Sequence, residues 1–88
     1  MTPDYRICPV CGYDSLDEPI TEILNSTYEI CPSCGFEFGV TDLDTGFSYE
    51  QWRAKWIDGG MIWRSSFRDA PANWNPVSQL KNLDRRRR

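Results

Sequence analysis

Four cysteines, arranged in two copies of one short motif, are the residues of this chain best suited to chemistry. Cys8 and Cys11 belong to the first Cys-Pro-x-Cys-Gly segment, and Cys31 and Cys34 belong to the second. Two residues between paired cysteines allow both sulfurs to point from one tight turn at a single ion. The pattern predicts a tetrahedral four-sulfur site for Zn²⁺, with iron as the alternative metal.

The repeat extends beyond the cysteines. Residues 5–13 recur as residues 28–36, with differences only at Arg6/Glu29, Val10/Ser33 and Tyr13/Phe36. We call residues 8–12 the first knuckle and residues 31–35 the second knuckle. Each ends in a glycine, Gly12 or Gly35, which suits a turn with positive φ. Because two knuckles fill all four positions around a metal, we expect a structural site and no enzymatic activity.

Composition and charge narrow the class of protein. The chain has 88 residues, a size at which a metal often supplements a small hydrophobic core. Its N-terminus lacks the apolar run of a signal peptide, and no segment is long enough to span a membrane. We therefore expect a cytoplasmic protein, in which paired cysteines bind metal more often than they form disulfides.

The charges are unevenly distributed along the chain. Residues 1–50 contain ten acidic residues and one basic residue, a net charge of −9, whereas residues 51–88 have a net charge of +6. Complementary charge steers association, so the acidic half predicts a protein partner with a basic surface. Residues 85–88 are all Arg, and we expect them to form a disordered tail. A nucleic-acid-binding role is the weakest alternative, because the half that carries the cysteines is almost devoid of basic residues.

The residues around the knuckles predict short antiparallel strands. Tyr5 and Ile7 alternate before the first knuckle, as do Tyr28 and Ile30 before the second, and residues 36–40 alternate after it. Residues 14–26, between the knuckles, fit either a helical turn or an ordered loop. Residues 42–46 resemble a fragment of a calcium loop, but they lack the full ligand set and are better interpreted as a polar turn.

A helix is predicted to start after Ser48, with Gln51 three residues later completing a capping box. One apolar stripe runs along it, and Gly59-Gly60 ends it. The stripe consists of Tyr49, Trp52 and Trp56. We expect the four tryptophans of the chain to pack as core rather than to form a binding surface.

A second helix is predicted from Pro76 to about Leu83, with Asn75 as its N-cap. Val77, Leu80 and Leu83 would form its buried face. The preceding segment contains Pro71 and Pro76 and therefore cannot be regular structure.

The chain also resembles known proteins. Its two knuckles resemble those of zinc ribbons and rubredoxins. Three segments resemble a group of small bacterial cysteine-rich proteins over nearly the whole chain, although that resemblance implies no particular activity. These segments are Y-x-I-C-P-x-C-G-F, S-Y-E-Q-W-R-x-K-W and N-W-N-P-x-x-Q-L-K-N-L. Rubredoxins differ in having a longer interval between their knuckles and nothing like the 54 residues that follow Cys34.

The sequence thus predicts one small α+β domain over residues 1–84. A zinc ribbon of short antiparallel strands would occupy about residues 4–40, and a helical segment over about residues 48–84 would pack on it. The expected function is a structural-zinc module that acts through protein–protein interaction. The alternatives are a rubredoxin-like iron electron carrier and a nucleic-acid-binding zinc ribbon.

Overall fold

The computed structural model describes residues 5–21, 23 and 25–86 of the chain. Three helices follow the second knuckle: α1 at Tyr49–Asp58, α2 at Pro76–Leu80 and α3 at Leu83–Arg86. Residues 5–48, so far as they are described, form turns, bends and irregular segments around the knuckles.

The prediction of short antiparallel strands is wrong. Within the described residues there is no β-strand, and a single antiparallel bridge joins Ile30 to Glu37. Before the second knuckle, Tyr28 has a φ of 63°, which interrupts the extended backbone that a strand requires. Before the first knuckle, the carbonyls of Tyr5 and Arg6 accept hydrogen bonds from the loop that follows the knuckle rather than from a strand.

That loop also answers the question left open for residues 14–26, since none of its described residues is helical. Leu16 donates its backbone N–H to the Arg6 carbonyl, and Ile20 donates to the Tyr5 carbonyl. Both side chains are buried. Leu24, one of the apolar residues considered for a helical turn, lies outside the described residues.

Helix α1 begins and ends as its sequence predicts. The Ser48 side chain accepts from the Gln51 N–H, and the Gln51 side chain accepts from the Ser48 N–H, completing the capping box. Gly59 caps the C-terminus, and Gly60 then takes a φ of 98° that a residue with a Cβ would adopt at a cost.

The core lies mainly around the knuckles and is covered by the second half of the chain. Trp56 is buried in it, and Tyr49 and Trp52 pack against it from the same face of α1. Phe36 contacts the rings of Tyr49 and Trp52 at centroid distances of 5.4 and 5.9 Å. The buried apolar residues are Ile7, Cys8, Val10, Cys11, Tyr13, Leu16, Ile20, Cys31, Cys34, Phe36, Phe38 and Trp56. The predicted stripe of α1 is therefore confirmed.

The other tryptophans also pack as core. Trp63 lies between Tyr13 and Trp74, with ring centroids 5.7 and 5.3 Å away in edge-to-face arrangements. Both Trp63 and Trp74 are partly buried against the core. The expected packing of the four tryptophans in or against the core is confirmed.

The C-terminal helix differs from the prediction in two respects. Asn75 caps α2, but the hydrogen bonds then shorten to a three-residue spacing around Lys81, and α3 starts as a separate helix. The side chain buried by α2 is Gln79, whereas Val77, predicted to be buried, is exposed.

The basic C-terminus is also more ordered than expected. Arg85 and Arg86 belong to α3, and the Arg86 guanidinium donates to the carbonyls of Ile7 and Ile20. Residues 87–88, the remainder of the predicted disordered tail, lie outside the described residues.

Candidate metal centre

The first knuckle is a tight turn held by its own backbone. The Cys8 N–H donates to the Tyr13 carbonyl at 2.7 Å, and the Gly12 N–H donates back to the Cys8 carbonyl at 3.0 Å. Gly12 has a φ of 86°, as the sequence predicts for this position. The turn places the side chains of Cys8 and Cys11 on the same side.

The second knuckle repeats the first bond for bond. Cys31 donates to the Phe36 carbonyl at 3.0 Å, Gly35 donates to the Cys31 carbonyl at 2.8 Å, and Gly35 has a φ of 80°. The sequence repeat is thus a structural repeat, and the two turns face each other across the sulfur atoms.

The four sulfur atoms lie in one cluster. The Sγ atoms of Cys8 and Cys34 are 3.9 Å apart, those of Cys11 and Cys31 are 3.6 Å apart, and all four lie within 4.8 Å of one another. A tetrahedral ion with metal–sulfur bonds of about 2.3 Å holds its sulfurs roughly 3.8 Å apart. All four cysteines are free thiols with at most 1% of their surface exposed. The cluster therefore has the dimensions and the closed surroundings of a four-thiolate metal site.

The pKa values of the thiols indicate why such a cluster calls for a cation. Burial raises the pKa of Cys31 well above its ordinary value, and the hydrogen bond with Cys11 raises it further. Burial and the same neighbour raise the pKa of Cys34. Burial also acts to raise the pKa of Cys11, but hydrogen bonds with the other three cysteines and with the Tyr13 backbone lower it overall. Without a cation, the cluster cannot hold four negative charges in so dry a place.

Helix α1 supplies donors to the outer carbonyls of the first knuckle. The Arg53 guanidinium donates to the Val10 carbonyl at 2.6 Å and to the Pro9 carbonyl at 2.7 Å. Since a divalent ion with four thiolates carries a formal charge of −2, the guanidinium offsets part of that charge while it fixes the turn. From α3, Arg86 reaches the Ile7 carbonyl just before the turn.

The second knuckle receives neutral donors instead. The Trp52 indole N–H donates to the Cys34 carbonyl at 2.9 Å. The backbone N–H groups of Arg64 and Ser65 donate to the Pro32 carbonyl at 3.1 and 2.9 Å. The two knuckles are thus equivalent in their own backbone but differ in the charge of their supports.

Gln79 joins the two knuckles from outside the cluster. Its side-chain amide donates to the Cys11 carbonyl at 3.2 Å and to the Ser33 hydroxyl at 2.8 Å, and its oxygen accepts from the Trp74 indole at 2.8 Å. The next turn of the helical segment adds Asn82, whose amide donates to the Gly12 carbonyl at 3.0 Å. Gln79 can be buried at little cost because each polar atom of its side chain has a hydrogen-bond partner.

The sequence identified the four cysteines and the two glycines but missed these supporting residues. Arg53, Gln79 and Asn82 carry no local signal, because their role depends on contacts 43 to 70 positions away in the chain. The knuckle turns leave outward-facing carbonyls that need donors, which shows that donors must exist without revealing which residues provide them.

No family model, curated protein or solved structure was found to match the chain. The cysteine cluster does not by itself establish a zinc-ribbon family, and within the described residues the absence of strands contradicts the predicted zinc ribbon. Among those residues, no helix is long and apolar enough to cross a membrane. The site is therefore described by its chemistry, as four cysteines placed to bind one metal ion.

Proposed function

We propose that this chain is a protein-binding module whose fold is stabilised by one structural Zn²⁺ ion held by Cys8, Cys11, Cys31 and Cys34. The observation that carries the proposal is the sulfur cluster, with its Sγ separations of 3.6 and 3.9 Å and its nearly complete burial. Such a site supplies rigidity rather than reactivity, because the protein occupies every coordination position.

The metal would contribute directly to the stability of the fold. The buried core consists largely of the cysteines and the side chains next to them, and the three helices are short. Structural zinc in small domains contributes about 10–16 kcal/mol of apparent binding free energy at pH 7. We therefore expect the metal-free chain to lose the packing of α1 and α2 on the knuckles.

Iron is the alternative occupant, because an all-sulfur tetrahedron accepts either metal. An iron carrier would be red and would bleach reversibly on reduction, whereas the zinc protein would be colourless. An absorption spectrum before and after dithionite, taken on protein purified without added metal, separates the two functions.

The charge distribution supports a partner with a basic surface. Acidic residues of the first half lie exposed, while Arg53 and Arg86 of the second half turn inward to bind carbonyls around the first knuckle. The exposed acids are Asp14, Asp17, Glu18, Asp44 and Glu50. Because Arg53 and Arg86 bind carbonyls of the fold and Arg6 is the one basic residue of residues 1–50, the exposed acids of the first half have little compensating positive charge within that half. The same use of Arg86 weakens the nucleic-acid alternative, in which the terminal arginines would contact phosphates.

Two variants with the same change in net charge test this partner. One replaces Asp14, Glu18 and Glu50 by their amides, and the control replaces Asp58, Asp69 and Asp84, the three acids of residues 51–88, in the same way. Each metal-loaded chain is immobilised on its own affinity column, a cell extract is applied, and the bound proteins are eluted over a salt gradient. Proteins retained by the unmodified chain and the control, but lost from the first variant, support a basic partner. Equal retention by all three chains contradicts it.

A further inference from the structure

A groove of about 450 Å³ runs along the outer side of the second knuckle. Its apolar wall includes Ile30, Pro32 and Phe67, and Arg64 and Arg68 border it. Phe67 is fully exposed, and Ile30 is 57% exposed. Large apolar side chains that line a groove in this way are typical of an interaction site.

The border of the groove is positively charged, as is the half of the chain that supplies Arg64 and Arg68. Arg68 forms the one ion pair within the described residues, at 3.6 Å to Asp17, and its guanidinium also donates to the Tyr13 hydroxyl. Arg64 is exposed, and its side chain lies against Gly35 of the second knuckle. The groove therefore suits a segment that presents an aliphatic side chain next to a carboxylate.

The chain itself presents such a segment. Leu43 is 68% exposed and stands between Asp42 and Asp44. The turn that carries it is fixed in shape, because Asp42 accepts from the Gly39 N–H at 2.8 Å and Asp44 donates to the Val40 carbonyl at 2.8 Å. A preformed turn loses little conformational entropy on docking.

We propose that the groove bordered by Arg64 and Phe67 receives the Asp42-Leu43-Asp44 turn of a second copy of this chain. Leu43 enters the apolar part of the groove, and Asp44 pairs with Arg64. Each copy carries both the groove and the turn, and the dimer we propose is the two-fold arrangement in which the contact forms twice. This inference goes beyond the proposed function, since it concerns self-association. It uses Asp44, one of the exposed acids, whereas the test of the basic partner changes Asp14, Glu18 and Glu50.

Sedimentation of the full metal-loaded chain tests the contact. Over about 1 µM to 1 mM, a range that covers weak to moderate self-association, the weight-average mass of the unmodified chain should rise toward two copies. Raising the salt concentration should reverse part of that rise, because the charged contact is screened. A chain that stays monomeric throughout, even at low salt, overturns the proposal. The same result is expected if the groove binds an acidic segment of another protein instead.

Charge exchange identifies the contact. Arg64→Glu and Asp44→Arg should each weaken self-association at least tenfold, and an equimolar mixture of the two variants should recover it because opposite charges meet again. Asp84→Arg changes another exposed acid by the same amount and should behave like the unmodified chain. Circular dichroism of each variant checks that its fold is intact. Failure of the mixture to recover association, or equal weakening by Asp84→Arg, overturns the proposal.

Discussion

Gln79 donates its side-chain amide to the Ser33 hydroxyl over 2.8 Å, although the two residues are 46 positions apart in the chain. The same amide reaches the Cys11 carbonyl, so one residue of a five-residue helix is bonded to both knuckles. The second half of the chain therefore does more than cover apolar surface, since it supplies the polar partners that hold the two turns in a fixed relation.

Gln79→Leu should destabilise the metal-loaded protein by roughly 2–3 kcal/mol, because the buried partners of the amide lose their hydrogen bonds. Val77→Ala, two positions away on the exposed side of the same helix, is the matched control and should change stability by less than about 0.5 kcal/mol. Urea unfolding followed by tryptophan fluorescence measures both. Equal effects of the two substitutions would show that the amide does not join the knuckles.

Alanine substitutions at Gly12 and Gly46 separate the stability cost of backbone strain from that of a steric clash. A Cβ at Gly12 would lie 2.1 Å from the Gln79 carbonyl oxygen, whereas a Cβ at Gly46 would meet nothing within 4 Å. Both glycines have positive φ, at 86° and 79°. Gly46→Ala should therefore cost about 1 kcal/mol for conformation alone.

Gly12→Ala should cost at least twice as much, because α2 must also move away from the first knuckle. Urea midpoints of the metal-loaded variants compare the two costs. Similar midpoints would contradict the close approach of α2 to the first knuckle.

Arg53→Lys should weaken the support of the first knuckle. The guanidinium of Arg53 donates to the Val10 and Pro9 carbonyls at the same time from two different nitrogens. Lysine has a single ammonium nitrogen and cannot reproduce this two-point geometry. We expect a loss of about 1–2 kcal/mol in stability and faster transfer of metal to a chromophoric chelator. Arg85→Lys, on the exposed side of α3, is the control, and a chelator rate equal to that of Arg53→Lys would argue against this role.

The stability of the protein should depend on pH with opposite sign in the presence and absence of metal. Metal coordination keeps the thiols ionised and depresses their pKa below the unfolded value of about 8.5. Stability from the metal is then fully present above that value and is lost as the pH falls through the depressed pKa.

In the fraction of the metal-free protein that remains folded, the raised pKa values of Cys31 and Cys34 act the other way. Their contribution is present below the unfolded pKa and is lost as the pH rises through the raised pKa, while the lowered pKa of Cys11 opposes it in part. Between pH 6 and about pH 10, urea midpoints measure the trend with zinc, and the folded fraction with chelator and no urea, followed by tryptophan fluorescence, measures the trend without it. A metal-loaded protein that gains stability on acidification would contradict thiolate coordination.

The parts of the structure that the sequence predicts correctly are those fixed by local rules. The capping box of Ser48 and Gln51 and the positive φ of Gly12 depend only on residues a few positions away. The prediction of strands was wrong because the alternation of side chains along the sequence is only an indirect signal of a strand. Ile30 is exposed although Ile7, its counterpart in the repeat, is fully buried, so the matching patterns do not define matching strand faces.

Gln79 shows the other limit of the sequence. Apolar spacing predicted that Val77 would be buried, but the energetic need of the helix was a donor for the knuckle carbonyls rather than one more apolar contact. That need arises only when residues 76–80 meet the first knuckle. The metal ligands could be predicted from spacing, whereas their supporting residues could be identified only from the folded arrangement.

X-ray absorption at the metal edge, on protein purified without added metal, tests the central claim most directly. We predict one zinc ion per chain, surrounded by four sulfur atoms at about 2.3 Å and by no lighter ligand. Replacement of any one of the four cysteines by serine should reduce the sulfur count or abolish binding. Iron at the site, a nitrogen or oxygen ligand in the unmodified protein, or cysteines oxidised in pairs without metal would contradict the account.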